Sequence, residues 1–336
     1  MPIARKELVS LDATPYYHVV SRCVRRAFLC GTDHFTGESY EHRKQWILSR
    51  LTELSELFAV DICAYAIMSN HLHLVVRLDP ETASAWSDSS VMARWERLFS
   101  LPPLVARYKN GETKVAAEKR VAQQYIQSWR ERLSDLSWFM RCLNEPIARQ
   151  ANAEDGCTGR FWEGRFKSQA LLDEAAILTC MAYADLNPVR AGMAKDTEDS
   201  DYTSIQQRIR ELMALQQGET PERGPCLLDF AGNESKEASD GLPFSLDDYI
   251  DLVDWSGRVV REDKRGAINE ALPPILDRLE IDAKTWQKLL RERKRLQFHH
   301  AVGRASAIKE NASNFGRAFL KGLSFARALF PEPEPA

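Results

Sequence analysis

No two of the seven cysteines in this 336-residue chain form a C-x-x-C pair; they fall at 23, 30, 63, 142, 157, 180 and 226 without regular spacing. That argues against a disulfide framework or a cysteine zinc site and leaves reduced, partly buried thiols as the expectation. No run approaches the ~18 consecutive apolar residues of a membrane span. The opening MPIARKELVSLDATP lacks an apolar signal-peptide core, so a cytoplasmic protein with no membrane partner is expected. No G-x-x-x-x-G-K-[ST] loop occurs, which removes the usual cradle for a nucleotide cofactor. A positive excess is missing as well, since the formal net charge is −3.

What the chain has is charge in blocks. Residues 196–260 carry 15 acidic and 5 basic side chains, 284–327 carry 11 basic and 2 acidic, and 91–134 carry 9 basic and 4 acidic. Separated basic blocks can meet phosphate whatever the average charge, although solvated helix faces would give the same pattern. Hydrophobic residues make up 44%, enough for a sizeable core.

Tyr16 to Val24 (YYHVVSRCV) is rich in β-formers and predicts a strand. Over 38–58 the apolar residues keep helical spacing. VDICAYAI and HLHLVVRL, joined by Met-Ser-Asn, predict a hairpin. Helices follow at roughly 84–99 and 125–152, with 101–125 read as an insertion between them. GRFWEGRFKSQALL supplies a turn and a strand, and a helix over roughly 173–186 stops at Asn187-Pro188, where proline blocks continuation. This order predicts an α+β fold, an antiparallel sheet with helices on one face, occupying 1–195. An acidic linker at 196–242 is expected next. A mainly helical C-terminal extension at 243–330, basic toward its end, and a disordered tail at 331–336 complete the chain.

His71-Leu72-His73 is the sharpest chemical feature. On a strand, residues i and i+2 share a face, so the two imidazoles stand side by side. Leu72, Leu74 and Val76 then point to the core, which puts the histidines on the solvent face. Two neutral imidazoles are half of an open site for a borderline divalent cation. Ordinary surface histidines give the same pattern. Tyr183 and Asn187 are i and i+4 on the 173–187 helix and share one face. Asn187 can offer an amide oxygen and Tyr183 a phenol; a core aromatic and a helix C-terminal cap are their plainer readings. Arg160, Arg165 and Lys167 flank Phe161, Trp162 and Phe166, which suits phosphate gripping with base stacking, or else core rings beside solvated cations. Arg22 and Arg190 are further basic candidates. His299 and His300 are adjacent, so on a helix they would diverge and make no metal pair.

These residues resemble a known family. IMSNHLHLVV is similar to the strand bearing the histidine–hydrophobe–histidine motif of single-tyrosine "HUH" transposases. GRFWEGRFKSQALL followed by YADLNPVRAGM resembles the signature of their REP-associated subgroup, IS200-like transposases whose tyrosine precedes an Asn-Pro pair. The resemblance runs from about Tyr17 to Met193. Ser69 departs from it, standing where many relatives have proline, and the 101–125 segment is longer than in a minimal member.

The resemblance implies a ferredoxin/RRM-like HUH endonuclease fold. It implies a transposase that cleaves single-stranded DNA near hairpins, with Tyr183 as nucleophile, a 5′-phosphotyrosine intermediate and a free 3′-hydroxyl. His71, His73 and Asn187 would hold Mg²⁺ or Mn²⁺, and Arg160, Arg165, Lys167, Arg190 and Arg22 would contact DNA, the protein acting as a monomer or homodimer. Two other functions compete. A domesticated hairpin-binding protein would have lost a histidine or the tyrosine, and all three are retained. A replication-initiator relative often carries a helicase, and no phosphate loop is present.

Overall fold

The computed structural model describes residues 7–24, 29–32, 36–232, 241–260, 273–291 and 299–330. The expected tail at 331–336, part of the linker (233–240) and part of the basic block (292–298) lie outside the described residues.

The chain opens with β1 (Tyr16–Arg22), α1 (Arg43–Leu57) and the hairpin β2 (Val60–Ile67) and β3 (His71–Leu78). Five helices follow: α2 (Pro80–Ala85), α3 (Asp88–Glu96), α4 (Pro103–Lys109), α5 (Ala116–Arg132) and α6 (Leu136–Glu154). Then come β4 (Lys167–Leu171), α7 (Glu174–Asp185), α8 (Asn187–Arg190) and α9 (Ser204–Gln217). The C-terminal part adds α10 (Leu246–Val260), α11 (Pro274–Arg278), α12 (Ala283–Arg291), β5 (Ala301–Val302), α13 (Ala305–Glu310) and α14 (Leu323–Leu329).

The five strands lie in the order β2-β3-β1-β4-β5. The first four pair antiparallel and β5 joins β4 in parallel. Tyr17, Val19, Leu72, Leu74 and Val76 line one face and pack with Ile47, Leu51 and Leu54 of α1 and Phe139, Met140 and Leu143 of α6. Tyr16, Cys63, Val75 and Leu171 line the other face and pack in a second core with α7, Leu252 and Val253 of α10 and Trp286 of α12.

The α+β class expected from the sequence is the class observed, but helices cover both faces of the sheet where one was expected. The reason lies in α7. Ten of its twelve residues are buried, so it needs apolar neighbours all round, and a helix of that kind sits between two layers. The sheet supplies one layer and α10 with α12 the other.

The stretches read as an insertion and as an acidic linker both contain helices. The 101–125 insertion contains α4 and the first half of α5. Within 196–242, α9 is capped by the Thr203 side chain, which accepts from the Gln206 amide, and ends at Gly218 with φ of 73°. Both are standard helix boundaries.

Candidate active site

Strand register assembles the site. Val20 of β1 lies opposite His73 of β3 and opposite Lys167 of β4. His18 lies opposite Val75 and opposite Gln169, and Arg22 lies opposite His71. With a period of two, His18, Val20, Arg22, His71, His73, Lys167 and Gln169 all share one face of three adjacent strands. Arg22 and Lys167 are exposed, whereas His18, His73 and Gln169 are buried.

This is the face that α7 covers. The histidines are therefore not on the solvent face, as the leucine pattern suggested: His71 is half-buried and His73 is 4% exposed. Apolar residues on alternate positions located one core, and the second core could not be seen from β3 alone.

The ring of Tyr183 lies 5.8 Å, centroid to centroid, from that of His73 and 6.3 Å from that of His18, edge-on to both. The rings of His71 and His73 are 4.8 Å apart. Asp173 starts α7 by accepting from the Ala176 amide at 2.8 Å, a side-chain N-cap. Tyr183 is half-buried between the buried Ala182 and Ala184, and its ring faces the histidines. Asn187 donates from Nδ2 to the Tyr183 carbonyl oxygen at 2.9 Å, so Oδ1 is the atom that could accept or ligate.

Arg190 closes the other side. Its guanidinium carbon is 4.4 Å from the centroid of the Tyr183 ring, and its Nε donates to the Leu290 carbonyl of α12 at 2.8 Å.

Burial sets the charge of the imidazoles. It pushes His71 down to about 4, and the Arg22 charge adds to the effect. Burial, reinforced by His71, His18 and Arg190, holds His73 well below the ordinary histidine value. Burial alone pushes His18 down to about 3. All three are neutral at neutral pH, the form in which imidazole binds metal. His71 Nδ1 faces Asn70 Oδ1 at 2.6 Å. That oxygen can only accept, so the proton sits on Nδ1 and the Nε2 lone pair is available. A divalent cation therefore fits His71. Among the described residues, no group of three or more His, Cys, Asp and Glu side chains is placed to hold a metal.

The loop before β4 runs beside Arg22. Glu163 donates its amide to the Arg22 carbonyl at 2.8 Å, and Val24 donates to the Phe161 carbonyl at 3.0 Å. Arg160 and Arg165 on this loop are exposed. Its aromatic rings serve the core instead of standing free for bases. Phe161 is buried, Trp162 and Phe166 pack partly buried against the same cluster, and Trp162 Nε1 donates to the Asn144 carbonyl at 2.8 Å.

Four residues at or near the site had no sequence signal of their own. His18 and Gln169 enter through cross-strand register, and Leu290 through tertiary packing. Asp185, fully buried two residues after Tyr183, accepts at Oδ1 from the Ser204 hydroxyl at 2.6 Å and the Ile205 amide at 2.9 Å. Its Oδ2 accepts from the Tyr249 hydroxyl. One carboxylate thus ties α7 to α9 and α10, and burial pushes its pKa up to about 6.

Among the described residues, no helix is long and apolar enough to cross a membrane. No family model and no curated protein matches the chain. A solved structure of a REP-associated tyrosine transposase bound to a REP hairpin is similar over 72% of this chain and 97% of its own, with 13% identity and a TM-score of 0.36. That likeness is remote, and the functional reading rests on the residues of this chain.

Proposed function

We infer that the chain is a metal-dependent single-strand DNA endonuclease and strand transferase of the transposase type, with Tyr183 as nucleophile. The observation that carries this reading is the 5.8 Å approach of the Tyr183 ring to His73. It joins a phenol to a neutral imidazole pair on an internal strand of the sheet, and those residues stand in the motifs that resemble single-tyrosine transposases.

His71 and His73, with Oδ1 of Asn187, would hold Mg²⁺ or Mn²⁺. The bound cation would polarise the scissile phosphate as a Lewis acid. Mg²⁺ prefers oxygen ligands, and Mn²⁺ suits the mixed imidazole and amide set better.

The remaining work falls to side chains of this chain. The Tyr183 oxygen attacks phosphorus and the bond to the 3′ oxygen breaks, giving a 5′-phosphotyrosine and a 3′-hydroxyl. A later attack by a 3′-hydroxyl reverses the exchange and joins strands without ATP. Arg190, over the Tyr183 ring, keeps the ring in place and brings cationic donors to the reacting phosphate. Arg22 and Lys167 on the exposed rim, with Arg160 and Arg165 on the adjoining loop, would neutralise the DNA backbone on both sides of the cut. Hairpin DNA as the target rests on the motif resemblance.

The test is a labelled single-stranded hairpin oligonucleotide incubated with protein and Mn²⁺ and run on a denaturing gel. A covalent adduct absent from Tyr183→Phe supports the reading; no adduct from the native chain, or an undiminished one from the variant, overturns it.

A further inference from the structure

We propose that Gln169 and His18 form a two-position switch that decides whether His73 presents a lone pair or a proton to the site. The switch rests on the metal reading above for its purpose, though its existence does not depend on it.

Gln169, His18 and His73 come from three adjacent strands and are buried to 0%, 0% and 4% exposure. Such groups must satisfy one another. Gln169 Nε2 lies 3.0 Å from His18 Nδ1, and His18 Nε2 lies 2.9 Å from His73 Nδ1. The two imidazole planes are inclined by only 18°, which suits an in-line N–H···N bond. A neutral imidazole has one donor and one acceptor nitrogen, so the whole chain must point one way or the other.

The amide of Gln169 sets the direction. As observed, Nε2 donates to His18 Nδ1. His18 then carries its proton on Nε2 and donates to His73 Nδ1. His73 must carry its own proton on Nε2, the nitrogen a metal would need. With the amide turned over, Oε1 accepts from His18 Nδ1–H, His18 Nε2 accepts from His73 Nδ1–H, and His73 Nε2 is a lone pair. No charge is gained: a proton leaves at His73 Nε2 and one enters at His18 Nδ1.

Two neighbours weigh the positions. In the observed one, Gln169 Oε1 accepts from the His299 amide at 3.3 Å, just before β5. In the other, that amide would meet Nε2, donor against donor. Gln169 Nε2 also lies 3.8 Å from Cys180 Sγ, whose thiol burial keeps protonated. That thiol can donate to Oε1 after the turn. The C-terminal extension, through His299, therefore favours the closed position, and a cation at His71 and His73 favours the open one. A segment outside the sequence motifs thereby acts on the metal site.

Histidine tautomers can be read directly from long-range ¹H–¹⁵N correlations on protein labelled only at its seven histidines, with His18 and His73 assigned by His18→Gln and His73→Gln. In metal-free protein both should carry the proton on Nε2. Gln169→Leu should shift His73 and His18 together toward the Nδ1–H form while the other histidine signals stay in place. Zn²⁺, a diamagnetic probe, should move both His73 and His18 to Nδ1–H, although His18 does not touch the metal. Metal-free His73 already in the Nδ1–H form, no effect of Gln169→Leu, or a His18 that ignores Zn²⁺ bound at His73 would each overturn the switch. Zn²⁺ that perturbs no histidine would instead overturn the metal reading and the purpose of the switch with it, an outcome the metal-free spectra keep distinct.

Discussion

Arg190 is held in two places at once. Its guanidinium carbon lies 4.4 Å above the Tyr183 ring, while its Nε donates to the Leu290 carbonyl at 2.8 Å. A residue of the extension thus fixes the cation that fixes the tyrosine. Arg190→Lys keeps the charge but loses the flat face and the directed Nε–H. Taking the stacked cation as worth about 1–2 kcal/mol, the rate of adduct formation should fall roughly tenfold. Single-turnover cleavage measures it, and an unchanged rate would show that the planar group does not matter.

Metal binding should depend on the histidines before any DNA is present. The electron paramagnetic resonance signal of free Mn²⁺ should stay undiminished on titration of His71→Ala or His73→Ala, and should disappear into the native protein. Asn187→Ala should bind more weakly, because one of the three proposed ligands is lost. Native-like Mn²⁺ binding by both histidine variants would remove the metal from this face.

Asp185 makes a pH prediction with a definite sign. Its pKa is raised from 3.8 to about 6, so between those values the folded protein keeps a proton that the unfolded chain has lost. That proton's contribution is fully present below the unfolded value and is lost as pH rises through about 6. The loss amounts to about 3 kcal/mol at most. Asp185→Asn holds no such proton. The thermal midpoint of the native protein minus that of the variant should therefore fall as pH rises from 4 to 6.5. A difference that is flat or rising would contradict the raised value.

The sheet should need the extension. Val302 accepts from the Leu172 amide at 2.9 Å, and His300 accepts from the Ala170 amide at 3.0 Å. A chain ending at residue 242 would leave this β4 edge unpaired and uncover the α7 side chains that pack with Leu252, Val253 and Trp286. Open edges and bared apolar faces drive aggregation. Expression of 1–242 should give insoluble or dye-binding protein; a monomeric, cooperatively melting fragment would contradict this.

The sequence revealed the parts of the site that follow local periodicity. Alternation along β3 put His71 and His73 on one face, helical spacing put Tyr183 and Asn187 on another, and Pro188 marked the end of α7. It did not reveal how those faces meet. Leu72, Leu74 and Val76 suggested one core, and only α7, apolar on nearly every side, hinted at a second. His18 looked like any strand residue, because its bond to His73 depends on β1 lying beside β3 in a particular register. Phe161, Trp162 and Phe166 left base stacking and core packing open, and the Trp162–Asn144 bond decides for packing. β5 was illegible for a simpler reason: two residues carry no periodicity.

The most direct test of the account is where the DNA is attached. Trypsin should release Ser168 to Arg190 as one peptide, and Tyr183 is its only tyrosine. After cleavage of an oligonucleotide and nuclease trimming, mass spectrometry should find this peptide carrying a 5′-linked nucleotide on Tyr183. A nucleotide on any other peptide, or none on this one despite cleavage, would contradict the claim that Tyr183 is the nucleophile.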